Sequence, residues 1–290
     1  MNIDTSARLL KLAATASVIT ATLLIAAKLA AYLLTDSVSV LASLVDSLMD
    51  LGASLVNLVA VRYALQPPDE EHRHGHGKAE SLAGLAQGMF IAGSGLFLIV
   101  QAIGRLVRPR DLEQTEIGLA VIAFAIVATA VLLAVQHYVI RRTGSVAIRA
   151  DSLHYRADLL SNAAIIVALL LAEQGLAGAD PLFALGIALY ILWSAWQIAR
   201  DAFNHLMDRE LPEDQRARIE AIVGDHPEVF GLHQLRTRLA GRTPFIQLDL
   251  ELNGELSLDR AHAIATEVEQ ALLEEFPTAD ITIHQDPVAP

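Results

Sequence analysis

Two aspartates interrupt an otherwise apolar run. In SLVDSLMDLGASLVNLV, Asp46 and Asp50 stand four residues apart. A helix puts positions i and i+4 on one face, so the two carboxylates share a side. A second pair occurs in DSLHYRADLLSN, where His154 and Asp158 have the same spacing. A charged side chain at the centre of a bilayer costs about 2.5–3.5 kcal/mol on insertion scales, so such residues mark function. If the pairs converge, three carboxylates and one imidazole form a four-ligand set. That count and chemistry suit tetrahedral Zn²⁺, while Fe²⁺, Mn²⁺ and Cd²⁺ are also compatible with it. The alternative is neutralisation without metal, by nearby Arg149 or Arg156 or in a water-filled cavity.

Further groups of the same type recur. The stretch PPDEEHRHGHGKAES holds Asp69, Glu70, Glu71, His72, His74 and His76 within eight residues. Histidines clustered with carboxylates trap divalent metals, although a solvated polar loop has the same composition. No HExxH is present, so a zincin protease reading has no foothold. Near the end, TIHQDP places His284 and Asp286 at i and i+2, on one face of a strand. Asp249, His233 and His262 lie in the same region. Taken by spacing alone, five such residues are more often ordinary surface polar groups.

The elements that must position these residues follow from composition. Of 290 residues 53% are hydrophobic and none is cysteine, which points to a polytopic membrane protein without disulfides or thiolate sites. The N-terminus is charged and then apolar for too long to be a signal peptide, so it reads as a first span. Six segments reach the roughly 20 residues a span needs: Leu9–Leu34, Val38–Ala64, Ser81–Val107, Glu116–Ile140, Val146–Leu171 and Pro181–Ala202. With both termini cytoplasmic, Arg8, Lys11, Arg62, Arg73, Lys78, Arg141, Arg142 and Arg149 flank the inside, against Arg105, Arg108 and Arg110 outside. That asymmetry favours this orientation. From Asp201 onward 18 acidic residues face 7 basic ones. This acidic tail suits cations and not nucleic acid. It reads helix, strand, strand, helix, strand, with Ile246, Leu248, Leu250 and Leu252 alternating against Gln247, Asp249 and Glu251. The expected domains are therefore a transmembrane unit, 1–208, and a cytoplasmic α+β unit, 209–290.

Metal ligands must lose their protons, so metal and protons compete for one site. A site exposed to each membrane face in turn would exchange metal for H⁺. A membrane metalloenzyme would need an open coordination position, which four protein ligands do not leave. A metal sensor with a membrane anchor would not need charged residues in its spans.

The motifs SLVDSLMDLGASLVNLVAVRYA, HGHGKAESLAGLAQGMFI, HYRADLLSN and FPTADITIHQDP resemble the cation diffusion facilitator family over essentially the whole chain. The resemblance implies six transmembrane helices and a cytoplasmic domain resembling a metallochaperone. It implies a homodimer in the bacterial inner membrane that is not an enzyme and that exports Zn²⁺, and also Cd²⁺ or Fe²⁺, in exchange for protons. Residue by residue it assigns Asp46, Asp50, His154 and Asp158 to the transport site. It assigns Asp69, His72 and His76 to a loop site, with Glu71 and His74 falling between its positions. His233, His262, His284 and Asp286 match a cytoplasmic two-metal site, with Asp286 bridging. The family has a histidine in the second strand of that domain; this chain has Asp249, also a zinc-ligand type. Lys78 and Asp208 correspond to a charge interlock near the dimer interface.

Overall fold

The computed structural model describes residues 3–107, 116–173 and 180–289. The expected connectors around 108–114 and 175–179 lie outside them. Six long helices come first: α1 (Ile3–Thr35), α2 (Val38–Ala64), α3 (Lys78–Val107), α4 (Glu116–Thr143), α5 (Val146–Glu173) and α6 (Asp180–Leu206). A short helix α7 (Glu213–Gly224), strands β1 (Gly231–Ala240) and β2 (Thr243–Asn253), helix α8 (Leu258–Glu275) and strand β3 (Asp280–Val288) follow. The chain divides into two compact units: 1–75 with 79–203, and 76–78 with 204–290.

The first unit is built inside out. Leu34, Val59, Val100, Val131 and Trp196 face outward and are each more than 60% exposed, whereas Ser17, Ser54, Asn57, Gln136 and Asp151 are buried. An apolar surface on this scale is stable only against lipid. α1 packs on α2 and α4, and α4 on α5. Small residues allow the close approach: Ala13, Ala14 and Ala147 are fully buried beside Leu10, Leu58, Val61, Val139 and Ile148. A second cluster joins Ile91 of α3 to Ala150, Leu153 and Ala157 of α5 and to Ile191, Ala195 and Ile198 of α6. α5 is thus packed on both sides.

Five helices, α1, α2, α3, α4 and α6, contain stretches long and apolar enough to cross a membrane. The sequence predicts six spans; among the described residues five helices meet this measure. The described side chains of α5 end at Val167, and Arg149, Asp151, His154, Arg156 and Asp158 fall among them in the first half of the helix, so that stretch is not among the five.

Local signals fix where α5 begins. Gly144 takes a left-handed φ of 67° and donates its N–H to the Ile140 carbonyl at 2.8 Å, closing α4. Ser145 then accepts the Ile148 N–H at 3.1 Å on its hydroxyl and caps α5. The register of His154 and Asp158 follows from that start.

In the second unit β1 pairs antiparallel with β2, and β3 joins the other edge of β2 in parallel through α8. The central strand turns Ile246, Leu248, Leu250 and Leu252 toward Ile219 and Val223 of α7 and Ile264, Val268 and Leu272 of α8. The αββαβ reading holds. Between His233 and Arg236 the register shifts, and Gln234 sits at a φ of 51°. Residues 76–78 pack with this unit: a Cβ on Gly77 would stand 2.4 Å from the Ala240 carbonyl oxygen, so only glycine fits there.

Candidate metal sites

α2 and α5 bring their polar pairs together. His154 Nε2 lies 2.9 Å from Asp50 Oδ1 and 3.7 Å from Asp158 Oδ2. One ligand atom from each of Asp50, His154 and Asp158 falls within 4.8 Å of the others, close enough to share one ion. Asp50 and His154 are buried, and Asp158 is half-buried. Phe90 and Tyr155 rings meet the imidazole edge-on at 6.2 and 5.4 Å, restricting its rotation. Asp46 does not enter this close group. It sits one turn away on α2 and is exposed, so it can complete a four-ligand set only by a change of rotamer or helix position. Arg149 does not neutralise these carboxylates; it pairs with Asp201 at 3.0 Å.

A residue that spacing did not single out supports the group. Asp151 lies three positions before His154 and is completely buried. Its Oδ2 accepts from Ser17 Oγ of α1 and from Gln136 Nε2 of α4 at 2.7 Å, and its Oδ1 accepts from Gln87 Nε2 of α3 at 3.0 Å. One carboxylate therefore ties three helices to α5. Next to it, the Tyr155 hydroxyl donates to the Ser17 carbonyl at 3.2 Å and meets Ser54 Oγ of α2 at 2.9 Å. The i−3 spacing of Asp151 from His154 was the available signal, but its partners lie on other helices.

The loop after α2 is held by its own polar groups. Asp69 Oδ1 accepts the backbone N–H groups of Glu71 at 3.0 Å and His72 at 2.6 Å. His72 Nδ1 stands 3.3 Å from the same oxygen. Within this one loop Asp69, His72 and His76 offer ligand atoms within 4.8 Å of one another. Glu71 and His74 are not part of the group.

In the second unit, pairing places His233 opposite Asp249, and Asp249 opposite His284. His233, Asp249 and Asp286 form the close group here. His233 Nε2 is 3.2 Å from Asp286 Oδ2, and His284 Nε2 is 3.0 Å from Asp286 Oδ1. Asp286 thus faces both histidines with different oxygens, the arrangement a bridging carboxylate requires. Glu251, 3.6 Å from His233, is an additional neighbour that follows from its shared strand face with Asp249. His262 on α8 is outside the close group and exposed. These donors fit divalent metals of the zinc type.

Lys78 Nζ contacts Asp208 at 2.9 Å, and Arg238 reaches the same carboxylate at 3.4 Å. Slight desolvation raises the Asp208 carboxyl. The hydrogen bond and charge of Lys78, then those of Arg238, outweigh it and hold the group below the ordinary carboxylate range.

An inside-out helical bundle with a buried carboxylate–imidazole group, continued by a small α+β domain, is the build of a membrane cation transporter. Family models agree: the cation efflux transmembrane domain matches residues 14–207, and the cytoplasmic domain of cation efflux proteins matches 211–288. The chain belongs to the cation efflux, or cation diffusion facilitator, family, whose members transport and are not enzymes. It is 53% identical over 283 residues to the cation-efflux pump FieF of Pectobacterium carotovorum, covering 98% of this chain and 94% of that one. With the FieF protein of Cronobacter sakazakii it shares 52% over 280 residues, covering 97% and 93%. Among solved structures, the metal-bound C-terminal domain of the CzcD transporter from Thermotoga maritima is 31% identical. It overlaps 26% of this chain and 87% of that one, with a TM-score of 0.25.

Proposed function

We propose that this protein exports Zn²⁺, with Cd²⁺ and Fe²⁺ as further substrates, in exchange for protons. The observation that carries the reading is the close group of Asp50, His154 and Asp158, buried between α2 and α5 of a lipid-facing bundle. The atoms that would hold the cation are the atoms that bind protons, so each displaces the other. Asp46, one turn along α2, supplies the fourth ligand when the ion is held. With the cytosol less acidic than the outside, metal loads within and is displaced without as the site alternates.

α5 counts as the sixth span in this scheme. Its charged residues sit in the first half, toward the Asp151 tie, the cation group and α6, and the apolar run AAIIVALLLA follows them. An even number of spans puts both termini on one side of the membrane, and the excess of basic residues there makes that side the cytoplasm. The protein works as a homodimer that binds divalent metal. The domain boundary falls between residues 208 and 209, inside the gap the family matches leave between 207 and 211. In the cytoplasmic unit His233, Asp249, His284 and Asp286, with His262 moving in from α8, hold metal that neutralises acidic surface and tightens the dimer. Asp69, His72 and His76 hold a third ion in the loop, and Lys78 with Asp208 interlocks the dimer.

Purified protein in vesicles with an internal metal indicator and an imposed pH gradient tests this. Flux of Zn²⁺ should follow the proton gradient and disappear in Asp50→Ala. Gradient-independent flux, or flux that survives the substitution, would refute the site.

A further inference from the structure

A cavity of about 510 Å³ opens between α5 and α6, away from the cation group. Arg149 and Arg156 line it from one face of α5, and Tyr190, Trp193, Arg200 and Asp201 from one face of α6. Arg149 is satisfied by Asp201 at 3.0 Å. Arg156 and Arg200 are exposed and form no ion pair or hydrogen bond among the described residues. Three cations therefore line one cavity with a single carboxylate, Asp201, which Arg149 already holds.

The position in the helices says what the anion is. The Arg149–Asp201 contact sets a common level on α5 and α6. Arg156 lies seven residues, about 10 Å, deeper along α5, and Trp193 eight residues, about 12 Å, deeper along α6. Side chains lean toward the N-terminus of their own helix. α5 and α6 run in opposite directions, so Arg156 leans toward the level of the ion pair and Arg200 leans away from it. The two guanidinium groups converge on the space between. α6 ends at Leu206, directly before the segment matching the cytoplasmic domain, so this space belongs to the cytoplasmic leaflet. Below it the wall is outward-facing and apolar: Leu189, Trp193 and Trp196 are each more than half exposed. A soluble anion would satisfy the arginines and leave that wall bare. A phospholipid covers both, its phosphate between the guanidinium groups and its acyl chains along α6, with Trp193 at the glycerol level and Tyr190 below it.

We propose that the α5–α6 cavity binds the headgroup of an anionic phospholipid of the cytoplasmic leaflet through Arg156 and Arg200. Basic pockets between spans on the cytoplasmic side are suited to such headgroups, and each arginine near the surface is worth about 1 kcal/mol, or roughly fivefold in binding.

The test uses the full-length protein carrying Trp196→Phe, which leaves Trp193 as the sole tryptophan. Trp193 fluorescence is read in bilayers containing brominated phosphatidylglycerol or brominated phosphatidylcholine. Phosphatidylglycerol should be preferred by about fivefold or more. The preference should vanish in Arg156→Gln/Arg200→Gln and largely return in Arg156→Lys/Arg200→Lys, with elution of the dimer showing that each variant is folded. Equal quenching by the two lipids overturns the proposal, as does a preference that survives the double glutamine variant. Displacement of the lipid by millimolar inorganic phosphate would make the ligand a soluble anion. A Trp193 quenched by neither lipid would be covered by protein. Either result overturns it.

Discussion

Replacing Asp151 by alanine removes the acceptor shared by Ser17, Gln87 and Gln136, so three interhelical hydrogen bonds are lost. The Gln87 amide then faces a void, while Ser17 keeps the Ala13 carbonyl at 3.2 Å and Gln136 keeps Ser17 Oγ at 3.0 Å. In soluble proteins each stranded buried donor costs about 1–3 kcal/mol. Interhelical hydrogen bonds in membranes average about 0.6 kcal/mol, because the reference state finds other partners. The lower figure, taken three times, gives a loss of about 2 kcal/mol. A drop of roughly 4–8 °C in thermal midpoint follows for a chain of this size, read by scanning fluorimetry on detergent-solubilised protein. Asp151→Asn should cost less. Its amide keeps one acceptor, and its nitrogen can donate to Gln136 Oε1, a buried atom with no partner among the described residues. Because the tie lies one turn before His154, Zn²⁺ affinity by titration calorimetry should fall in the alanine variant and recover in part with asparagine. An alanine variant with unchanged midpoint and unchanged Zn²⁺ affinity would refute the claim that Asp151 positions α5.

Two further expectations concern the second unit. Gly77→Ala places a methyl 2.4 Å from the Ala240 carbonyl oxygen and 2.7 Å from its carbon, so backbone must move. Overpacking of this kind costs about 1–3 kcal/mol, and a thermal midpoint equal to wild type would rule out the close approach. The depressed carboxyl of Asp208 contributes stability above the ordinary carboxylate range and loses it as pH falls through its folded value, below the usual 3.8. The stability difference between wild type and Asp208→Asn in urea should be constant from pH 7 to pH 5 and shrink below about pH 4. A difference that instead collapses near neutral pH would assign the effect to another group. High salt should also reduce it, since the Lys78 pair is partly exposed.

What the sequence by itself determined were properties of single elements. Apolar runs and their punctuation locate α1 to α6, and the alternation in β2 fixes which residues enter the core. The i,i+4 spacing puts Asp46 with Asp50 and His154 with Asp158. These depend on backbone periodicity, which is local. The tertiary structure alone decided what crosses between elements. It brought Asp50 within 2.9 Å of His154, kept Asp46 outside the close group, and sent Arg149 to Asp201. It made Asp151 the meeting point of four helices and placed Asp286 between two histidines while leaving His262 aside. The physical reason is the same throughout. A helix or strand specifies the face a side chain occupies, but which face it meets depends on packing contacts between residues far apart in the chain, such as Ser17 and Tyr155, 138 positions apart.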